Sequence, residues 1–330
     1  GAGSAPLLEA GDWRALAEAL GDAPGDRCVT NNRFSADIYA LAQKFQAGGV
    51  PNVAVISAAL IVLGGFGFKI SAVPFHFWVP DVYEGAPTAV AGFLSTASKA
   101  AGFAVLMRVM IEVFPLVEAQ WGAILAALAT ATMLLGNTIA LAPRNIKRLL
   151  AYSSIAHAGY ILVGIVSLSS LGMTSAIFYL IAYLLTNLAA FGVVSVVSRT
   201  IGSDEIAAYA GLSRRSQGLS LAMLVAFLSL AGIPPMAGFV AKVWVFAAAV
   251  DAGLVWLAIV AILNAIIGLY YYLIVLKVVY LYRSDEDDKP VPVSRPDALA
   301  LAVLTVGILV VGVLFAPWWG LADAAAAVLF

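Results

Sequence analysis

The sequence predicts an all-α integral membrane protein with about eight transmembrane helices, two of them broken. Hydrophobic residues make up 62% of the 330-residue chain and charged residues 11%, and the mean hydropathy is +0.98. Soluble domains are about half apolar and about a quarter charged. The apolar residues form continuous runs rather than the alternating pattern of a β-barrel. Glycine and proline interrupt two of these runs, each time beside a lysine.

The apolar runs divide the chain into three regions. Residues 1–51 contain two short amphipathic patterns, "DWRALAEAL" and "IYALAQKFQAGG", and are predicted to be extramembrane or interfacial. Residues 52–316 form the predicted transmembrane domain, and residues 317–330 form a C-terminal interfacial tail. Because a helix needs about 20 residues to span a bilayer, the predicted spans are 52–73, 87–114, 120–142, 146–168, 174–199, 219–250, 254–282 and 297–316.

Basic residues in the predicted loops lie on one face of the membrane. The loops after the third, fifth and seventh spans hold nine Lys and Arg residues, and the short loops of the opposite face hold none. The positive-inside rule makes the basic face cytoplasmic and places residues 1–51 and the C-terminus on the other side. The nine residues are Arg144, Lys147, Arg148, Arg199, Arg214, Arg215, Arg283, Lys289 and Arg295.

Apart from the lysines counted with the basic loops, four lysines lie within predicted spans: Lys69, Lys99, Lys242 and Lys277. Lys277 is about a turn from the cytoplasmic end of its helix and can snorkel, and the other three lie deeper. A lysine at the centre of a membrane helix costs about 2.5–3.5 kcal/mol, so three of them indicate a function. We expect all three to lie deep, although Lys69 is nearer a helix end than the other two. Low-dielectric surroundings favour the neutral form of the amine over the protonated form. A nearby charge alters the balance between the two forms, so such lysines can take up and release protons.

His157 lies near the middle of its predicted span, in "YSSIAHAGY". It is either a histidine hydrogen-bonded to a neighbouring helix or a proton relay, since histidine titrates near neutral pH. Ser153 and Ser154 precede it by four and three residues on the same helix face and are predicted as supporting polar groups.

The two broken helices are predicted from proline and glycine. Gly64, Gly65 and Pro74 mark the first break, and Pro234 and Pro235 mark the second. Proline removes a backbone donor, and broken helices are tolerated in a membrane where they are buried in protein or line a wet cavity. Corresponding broken helices in two halves of a chain indicate a transporter's ion path.

Other polar residues within the spans are few. Asn137, Asn187 and Asn264 each lie in a different predicted helix, where interhelical hydrogen bonding is the favoured interpretation. Glu112 is the only acid predicted within a helix, close to its outer end. Because a buried ammonium needs a counter-charge or loses its proton, we expect its partner to lie on polypeptide outside this chain or on water.

Several function classes receive no support. The net charge of −1 gives no electrostatic case for nucleic acid binding. The single cysteine, Cys28, cannot form an internal disulfide, and there is no Cys/His spacing for a metal or cluster. The chain begins with Gly and has no signal peptide pattern, so a processed or incomplete N-terminus is expected.

Four stretches carry a specific resemblance: "FKISAVPFHFWVPDVYEGAPTAV", "FLSTASKAAGFAVLMRV", "GNTIALAPRNIKRLLAYSSIAHAGYILVG" and "LSLAGIPPMAGFVAKVWVF". They closely resemble the antiporter-like subunits of respiratory complex I, NADH:quinone oxidoreductase. "PDVYEGAPT", and a lysine rather than a glutamate in the late broken helix, favour subunit N (called subunit 2 in mitochondria, with a B-type counterpart in plastids) over subunits L and M. The resemblance covers about residues 52–316.

The resemblance implies a fold of about fourteen helices, in which two five-helix units are related by inverted symmetry. The eight spans would then be the seventh to fourteenth, and the chain the C-terminal part of the subunit. Matched position by position, Lys69, Lys99, His157 and Lys242 correspond to the family's proton-translocating residues. The family's glutamate on the fifth helix has no counterpart in this chain.

The function implied is that of a proton-translocating membrane subunit, with a buried Lys/His/water chain driven by quinone reduction elsewhere. The resemblance implies no cofactor in this chain, and NADH, flavin, iron–sulfur clusters and quinone in partner subunits. The implied partners are antiporter-like subunits of M and L type, small subunits of K, J and A type, and the lipid bilayer of a bacterial inner membrane. An Mrp-type cation/proton antiporter subunit and a structural scaffold are the alternatives.

Overall fold

The computed structural model describes residues 38–47, 50–284 and 289–329, and within these ranges it contains helices and no β-strand. The predicted helix in "IYALAQKFQAGG" is present as α1, whereas "DWRALAEAL" lies outside the described residues. The α-helices, numbered in chain order, are α1 (Ile38–Gln46), α2 (Asn52–Ile70), α3 (Trp78–Gly85), α4 (Thr88–Ser95), α5 (Ala97–Val113), α6 (Glu118–Ile139), α7 (Ile146–Val166), α8 (Ser170–Ile201), α9 (Leu212–Arg215), α10 (Gln217–Ala231), α11 (Ala237–Asp251), α12 (Val255–Leu281), α13 (Arg295–Val313) and α14 (Ala316–Ala326).

Seven helical stretches of the described residues are long and apolar enough to cross a membrane. They correspond to seven of the eight predicted spans, and the remaining one, 219–250, is divided into α10 and α11. The predicted all-helical membrane fold is therefore confirmed. The seven stretches are Asn52–Ile70, Thr88–Val113, Pro115–Ile139, Ile146–Val166, Ser170–Ile201, Val255–Leu281 and Arg295–Val313.

The described chain divides into two compact units. The smaller comprises the residues up to 61 together with 108–121, where Phe45 stacks on Phe114 with ring centroids 5.8 Å apart. The larger comprises 62–107 and the residues from 122 onward. In the larger unit, α7 is buried along almost its whole length, and α8 packs against α4, α7, α10, α11, α13 and α14. The candidate functional residues all lie in this larger unit.

The first helix break lies at residues 71–77, between α2 and α3, and includes Pro74. The prediction that Gly64 and Gly65 belong to this break is wrong, because both lie within the continuous helix α2. Gly64 and Gly67 of α2 instead make room for the ring of Phe75, a residue of the break. A Cβ at Gly64 would lie 3.6 Å from the ring of Phe75, and one at Gly67 would lie 2.7 Å from it.

The second break lies between α10 and α11 and contains Pro234 and Pro235, as predicted. Gly232 follows the last residue of α10 with a φ of +88°, a left-handed conformation that glycine adopts readily. The chain then resumes as a helix at Ala237.

A third interruption was not predicted. The span expected at 87–114 is divided at Thr96 into α4 and α5, shortly before Lys99. The hydroxyls of Ser95 and Thr96 both donate to the carbonyl oxygen of Gly92, at 2.7 and 2.8 Å. Serine and threonine side chains compete with the backbone ladder in this way, and no glycine or proline marks the position.

The C-terminal region after α13 is helical from Ala316 to Ala326. It packs against α8, where Thr174 Oγ1 donates to Asp323 Oδ1 at 3.0 Å. The rings of Trp319 and Trp244 lie 4.5 Å apart. The placement of residues 317–330 at the membrane interface remains a prediction.

Candidate functional site

Lys99 is buried, with 1% of its surface exposed. Its Nζ donates to Ser154 Oγ at 2.5 Å and to the Ser154 carbonyl oxygen at 2.9 Å. The hydroxyl of Tyr83, on the short helix α3, lies 3.5 Å from the same Ser154 Oγ. The amine is therefore held by uncharged oxygens of α7.

His157 lies in the same helix, α7, and is 3% exposed. Its Nδ1 lies 2.8 Å from the hydroxyl oxygen of Tyr179, and its Nε2 lies 3.3 Å from that of Tyr272. The ring of Tyr183 lies 5.1 Å from the imidazole and that of Tyr160 lies 5.7 Å from it. The ring is thus enclosed by tyrosines from its own helix and from α8 and α12.

The two predicted supporting serines have different partners. Ser154 accepts from Lys99, whereas Ser153 is hydrogen-bonded to the hydroxyl of Tyr272, which also contacts His157. Ser153 thus reaches the imidazole through a tyrosine, and the supporting role of the two serines stays a prediction.

Lys242 lies on α11 and is 5% exposed. Its Nζ donates to the carbonyl oxygens of Leu230 and Ala231, at 2.8 and 2.9 Å. In an unbroken helix these carbonyls would accept from the backbone N–H groups four residues later. Those residues are Pro234 and Pro235, which have no N–H. The lysine amine therefore replaces the two donors that the prolines remove.

Lys69 differs from the other two lysines, because it is exposed in the structure. Its depth in the membrane stays a prediction, because an exposed side chain can face lipid or another polypeptide at any depth. Its stem packs on α5, where a Cβ at Gly102 would lie 3.0 Å from Lys69 Cγ. Gly102 is three residues after Lys99, so the two lysines are associated with adjacent turns of the same helix.

The three candidate lysines have no carboxylate partner among the described residues: no ion pair involves Lys69, Lys99 or Lys242. The expectation that Glu112 is the only acid in a helix is wrong, since Asp81 and Glu84 lie on α3. Both of those acids pair with an arginine outside the site. The described residues also contain no group of three or more His, Cys, Asp or Glu side chains that could hold a metal ion.

The predicted interhelical bonds of the asparagines are confirmed. Asn137 Nδ2 donates to Tyr160 Oη at 3.1 Å and to Asn264 Oδ1 at 3.4 Å, and its Oδ1 accepts from Tyr271 Oη at 3.1 Å. Lys242 Nζ lies 5.0 Å from the centroid of the Tyr160 ring. In a separate contact, Asn187 Nδ2 donates to Ser95 Oγ at 2.6 Å.

Tyrosine hydroxyls connect much of the site, and the sequence reasoning did not identify them. The residues concerned are Tyr83, Tyr179 and Tyr272, all at most 2% exposed. A signal was present, because a tyrosine within an apolar span brings a hydroxyl that needs a partner when it is buried. The stretches "FYLIAYLL" and "LYYYLIV" contain such tyrosines.

The fold and site together define an antiporter-like membrane domain, with two broken helices, a lysine at each break and a buried histidine. Residues 30–268 match the protein family described as NADH:quinone oxidoreductase/Mrp antiporter, TM, and the chain belongs to this family.

Individual relatives agree with this assignment. NADH-quinone oxidoreductase subunit N of Heliobacterium modesticaldum is 49% identical over 279 residues, which cover 84% of this chain and 59% of that protein. A chain of respiratory complex I from Thermus thermophilus superposes with a TM-score of 0.72 at 36% identity, covering 86% of this chain and 64% of that one.

A chain of the Mrp complex from Dietzia has a TM-score of 0.81 at 24% identity and covers 96% of this chain and 65% of that one; this likeness concerns the fold alone. The chain spans between 53% and 59% of the length of the curated relatives it matches.

Proposed function

We propose that this chain is a proton-translocating membrane subunit of a complex I-type NADH:quinone oxidoreductase. The observation that carries the proposal is the burial of Lys99, His157 and Lys242 in one helical unit, with neutral hydrogen-bond partners. We assign Lys69, Lys99, His157 and Lys242 as the proton-carrying residues, connected by hydroxyl groups and water. Quinone reduction in other subunits drives the movement.

The contacts of the two buried lysines suit amines that change protonation. A protonated lysine offers three N–H donors, and a neutral amine retains two. Lys99 and Lys242 each donate to two uncharged oxygens, so both hydrogen bonds persist when a proton leaves. The amine can therefore release its proton without leaving a buried acceptor unsatisfied, a loss that costs about 1–3 kcal/mol.

Lys69 enters the proposal as the residue next to Lys99. Its stem contacts the α5 position occupied by Gly102, and it lies one residue before the end of α2, next to the first break. A positive charge on Lys69 raises the free energy of a second positive charge on Lys99, because like charges repel. Protonation of one lysine would thus favour proton release from the other.

The names of the relatives support our proposal for the cofactors and the partner subunits. The name NADH-quinone oxidoreductase subunit N supports membership of a complex that uses NADH and a quinone. We propose that its NADH, flavin, iron–sulfur and quinone sites lie in other subunits. The complex I assemblies among the structural relatives support neighbouring subunits of M and L type and of K, J and A type. We propose a bacterial inner membrane as the location, with the basic loops on the cytoplasmic side.

The second candidate is an Mrp-type cation/proton antiporter subunit, favoured by the fold shared with the Dietzia Mrp complex. The two candidates differ in their requirement for sodium and for an electron donor. Proton uptake into vesicles that needs NADH and quinone and proceeds without sodium supports the first. Sodium/proton exchange in the absence of NADH supports the second.

The experiment uses the assembled membrane complex in proteoliposomes. Lys99→Met and Lys242→Met keep most of the side-chain volume and remove the titratable amine. We expect a lower ratio of protons translocated to electrons transferred, with quinone reduction retained in the presence of an uncoupler. Lys277→Met is the control, since Lys277 is exposed near the end of α12. An unchanged ratio in both test variants, with normal assembly, contradicts the proposal.

A further inference from the structure

Both ring nitrogens of His157 meet a tyrosine hydroxyl. Nδ1 lies 2.8 Å from Tyr179 Oη, and Nε2 lies 3.3 Å from Tyr272 Oη. A neutral imidazole has one N–H donor and one bare nitrogen acceptor. One tyrosine hydroxyl therefore accepts from the ring while the other donates to it, whichever tautomer is present.

The Nε2 side of the ring continues toward Ser153. The hydroxyl of Tyr272 is hydrogen-bonded to Ser153 Oγ as well as to His157. Ser153 is the chain neighbour of Ser154, which holds the Lys99 amine. Ser153 is 0% exposed and Tyr272 1% exposed, so the hydroxyl chain is shielded from bulk water.

The Nδ1 side of the ring borders a small cavity of about 10 Å³, lined by His157, Tyr179 and Tyr183 together with Thr186 and Ser229. This is about the volume that one water molecule needs. The hydroxyl of Tyr183 is buried and has no hydrogen-bond partner among the described residues. Thr186 Oγ1 and Ser229 Oγ lie 3.0 Å apart, so the cavity offers a water several polar partners.

The cavity is also lined by residues of the two helices that flank the second break. Leu230 of α10 lines it, and the carbonyl of Leu230 accepts from Lys242 Nζ. Gly238 and Ala241 of α11, the helix that carries Lys242, line it too. The cavity therefore separates the His157 side of the site from the Lys242 side.

We infer that His157 passes protons as a neutral relay between Tyr272 and Tyr179, with the cavity water as the next carrier. This inference rests on the proposed proton translocation. Tyr272 Oη gives its proton to Nε2 and is refilled from the Ser153 hydroxyl. Nδ1 gives its proton to Tyr179 Oη, which releases its own proton to the water. One proton enters at Ser153 and one leaves toward Ser229, and no net charge remains on the ring.

A neutral relay suits this location. A buried charge without a paired opposite charge is costly, and no ion pair among the described residues includes His157. After one transfer the ring carries its hydrogen on Nε2. The Nδ1–H tautomer must be regenerated by proton exchange before the next proton passes in the same direction, so the relay moves one proton at a time.

The test removes single hydroxyl groups in the assembled complex. Tyr272→Phe and Tyr179→Phe should lower the proton-to-electron ratio as much as His157→Gln does, while uncoupled quinone reduction is retained. Tyr270→Phe is the control on the same helix. Tyr270 lies on α12 two residues before Tyr272 and is 61% exposed, so its hydroxyl lies outside the buried chain. Its loss should leave the ratio unchanged.

A second measurement separates a proton-carrying role from a structural one. Replacement of Tyr272 by a fluorinated tyrosine keeps the ring and the hydroxyl but makes the hydroxyl more acidic. The pH profile of proton translocation should then shift, whereas a hydroxyl that only fixes the packing should leave it in place. An unshifted profile overturns the inference.

The outcomes distinguish this inference from the proposed function. If His157→Gln lowers the ratio but both phenylalanine variants retain it, the tyrosine relay is wrong and the proposed function stands. If Lys99→Met, Lys242→Met and His157→Gln all retain the ratio, the proposed function itself is wrong. Equal losses in Tyr270→Phe and Tyr272→Phe also overturn the relay, because the loss would then not depend on contact with His157.

Discussion

Lys242 Nζ lies 2.8 Å from the carbonyl oxygen of Leu230, at the point where α10 ends. The lysine is therefore part of the helix break as well as a candidate proton carrier. Its amine occupies the position that a backbone N–H would have had if residue 234 were not proline. Changes around this amine should consequently affect stability and proton transfer together, and matched variants are needed to separate the two effects.

Gly232→Ala should destabilise the protein more than Gly253→Ala. Both glycines have a positive φ, +88° and +76°, which costs a residue with a Cβ about 1–2 kcal/mol. A Cβ at Gly232 would also lie 2.8 Å from Lys242 Cδ, whereas nothing lies within 4 Å of one at Gly253. Thermal unfolding in detergent should show a larger drop in Tm for Gly232→Ala. Equal drops in Tm for the two variants would show that the Lys242 side chain can move away from the added Cβ without loss of stability.

Gly67→Ala should lower the stability of the protein, whereas Gly65→Ala should not. A Cβ at Gly67 would lie 2.7 Å from the Phe75 ring, whereas nothing lies within 4 Å of one at Gly65. We expect Gly67→Ala to cost about 1–3 kcal/mol of stability through overpacking. Gly65→Ala should be neutral or stabilising by up to about 1 kcal/mol, because alanine is the better helix former.

The same unfolding measurement includes a rescue. Adding Phe75→Ala to Gly67→Ala removes the overlapping ring, so the double variant should lose less stability than the sum of the two single changes. If the stability losses of the two single variants simply add in the double variant, the contact between residue 67 and the Phe75 ring is not the source of the strain.

Asn137→Leu should cost about 1–3 kcal/mol for each buried group that it leaves without a partner. The affected groups include the hydroxyl of Tyr271, which donates to Asn137 at 3.1 Å. Combining Asn137→Leu with Tyr271→Phe removes that orphaned hydroxyl and should recover part of the loss. The free energy of unfolding of the two single variants and the double variant gives the coupling, and zero coupling would contradict the interpretation.

Lys147→Met should cost more stability than Arg148→Gln, although Arg148 makes two ion pairs and Lys147 makes one. Lys147 Nζ lies 2.9 Å from Asp204 with side chains 8% and 21% exposed, so its removal leaves a poorly solvated carboxylate and should cost about 2 kcal/mol. Arg148 pairs with Asp81 and Glu84, and the side chains of the three residues are 39%, 75% and 36% exposed, respectively. Exposed ion pairs contribute about 0.2–1 kcal/mol each to the free energy of unfolding.

Salt provides the control for this comparison. Screening by about 0.5 M salt should reduce the effect of Arg148→Gln, because ions reach exposed pairs. The effect of Lys147→Met should change little. A stronger salt response for Lys147→Met than for Arg148→Gln would contradict the assignment of the buried pair.

The sequence by itself determined the spans, the second break and the identity of the deep lysines. Continuous apolar runs require lipid whatever their neighbours are. Pro234 and Pro235 lack an N–H in any tertiary context, so the break between α10 and α11 follows from local chemistry. The rarity of lysine in such runs marked Lys99 and Lys242 before any contact was known.

Only the tertiary structure decided which side chains meet. A helix that is apolar all round carries no amphipathic signal for its direction of packing. The sequence therefore could not indicate that Lys69 is exposed while Lys99 is buried, or that Gly64 and Gly65 lie within α2. The partners of His157, Tyr179 from α8 and Tyr272 from α12, are 22 and 115 residues away in the chain. Such contacts depend on helix rotation and register, which are set by packing across the whole helical unit.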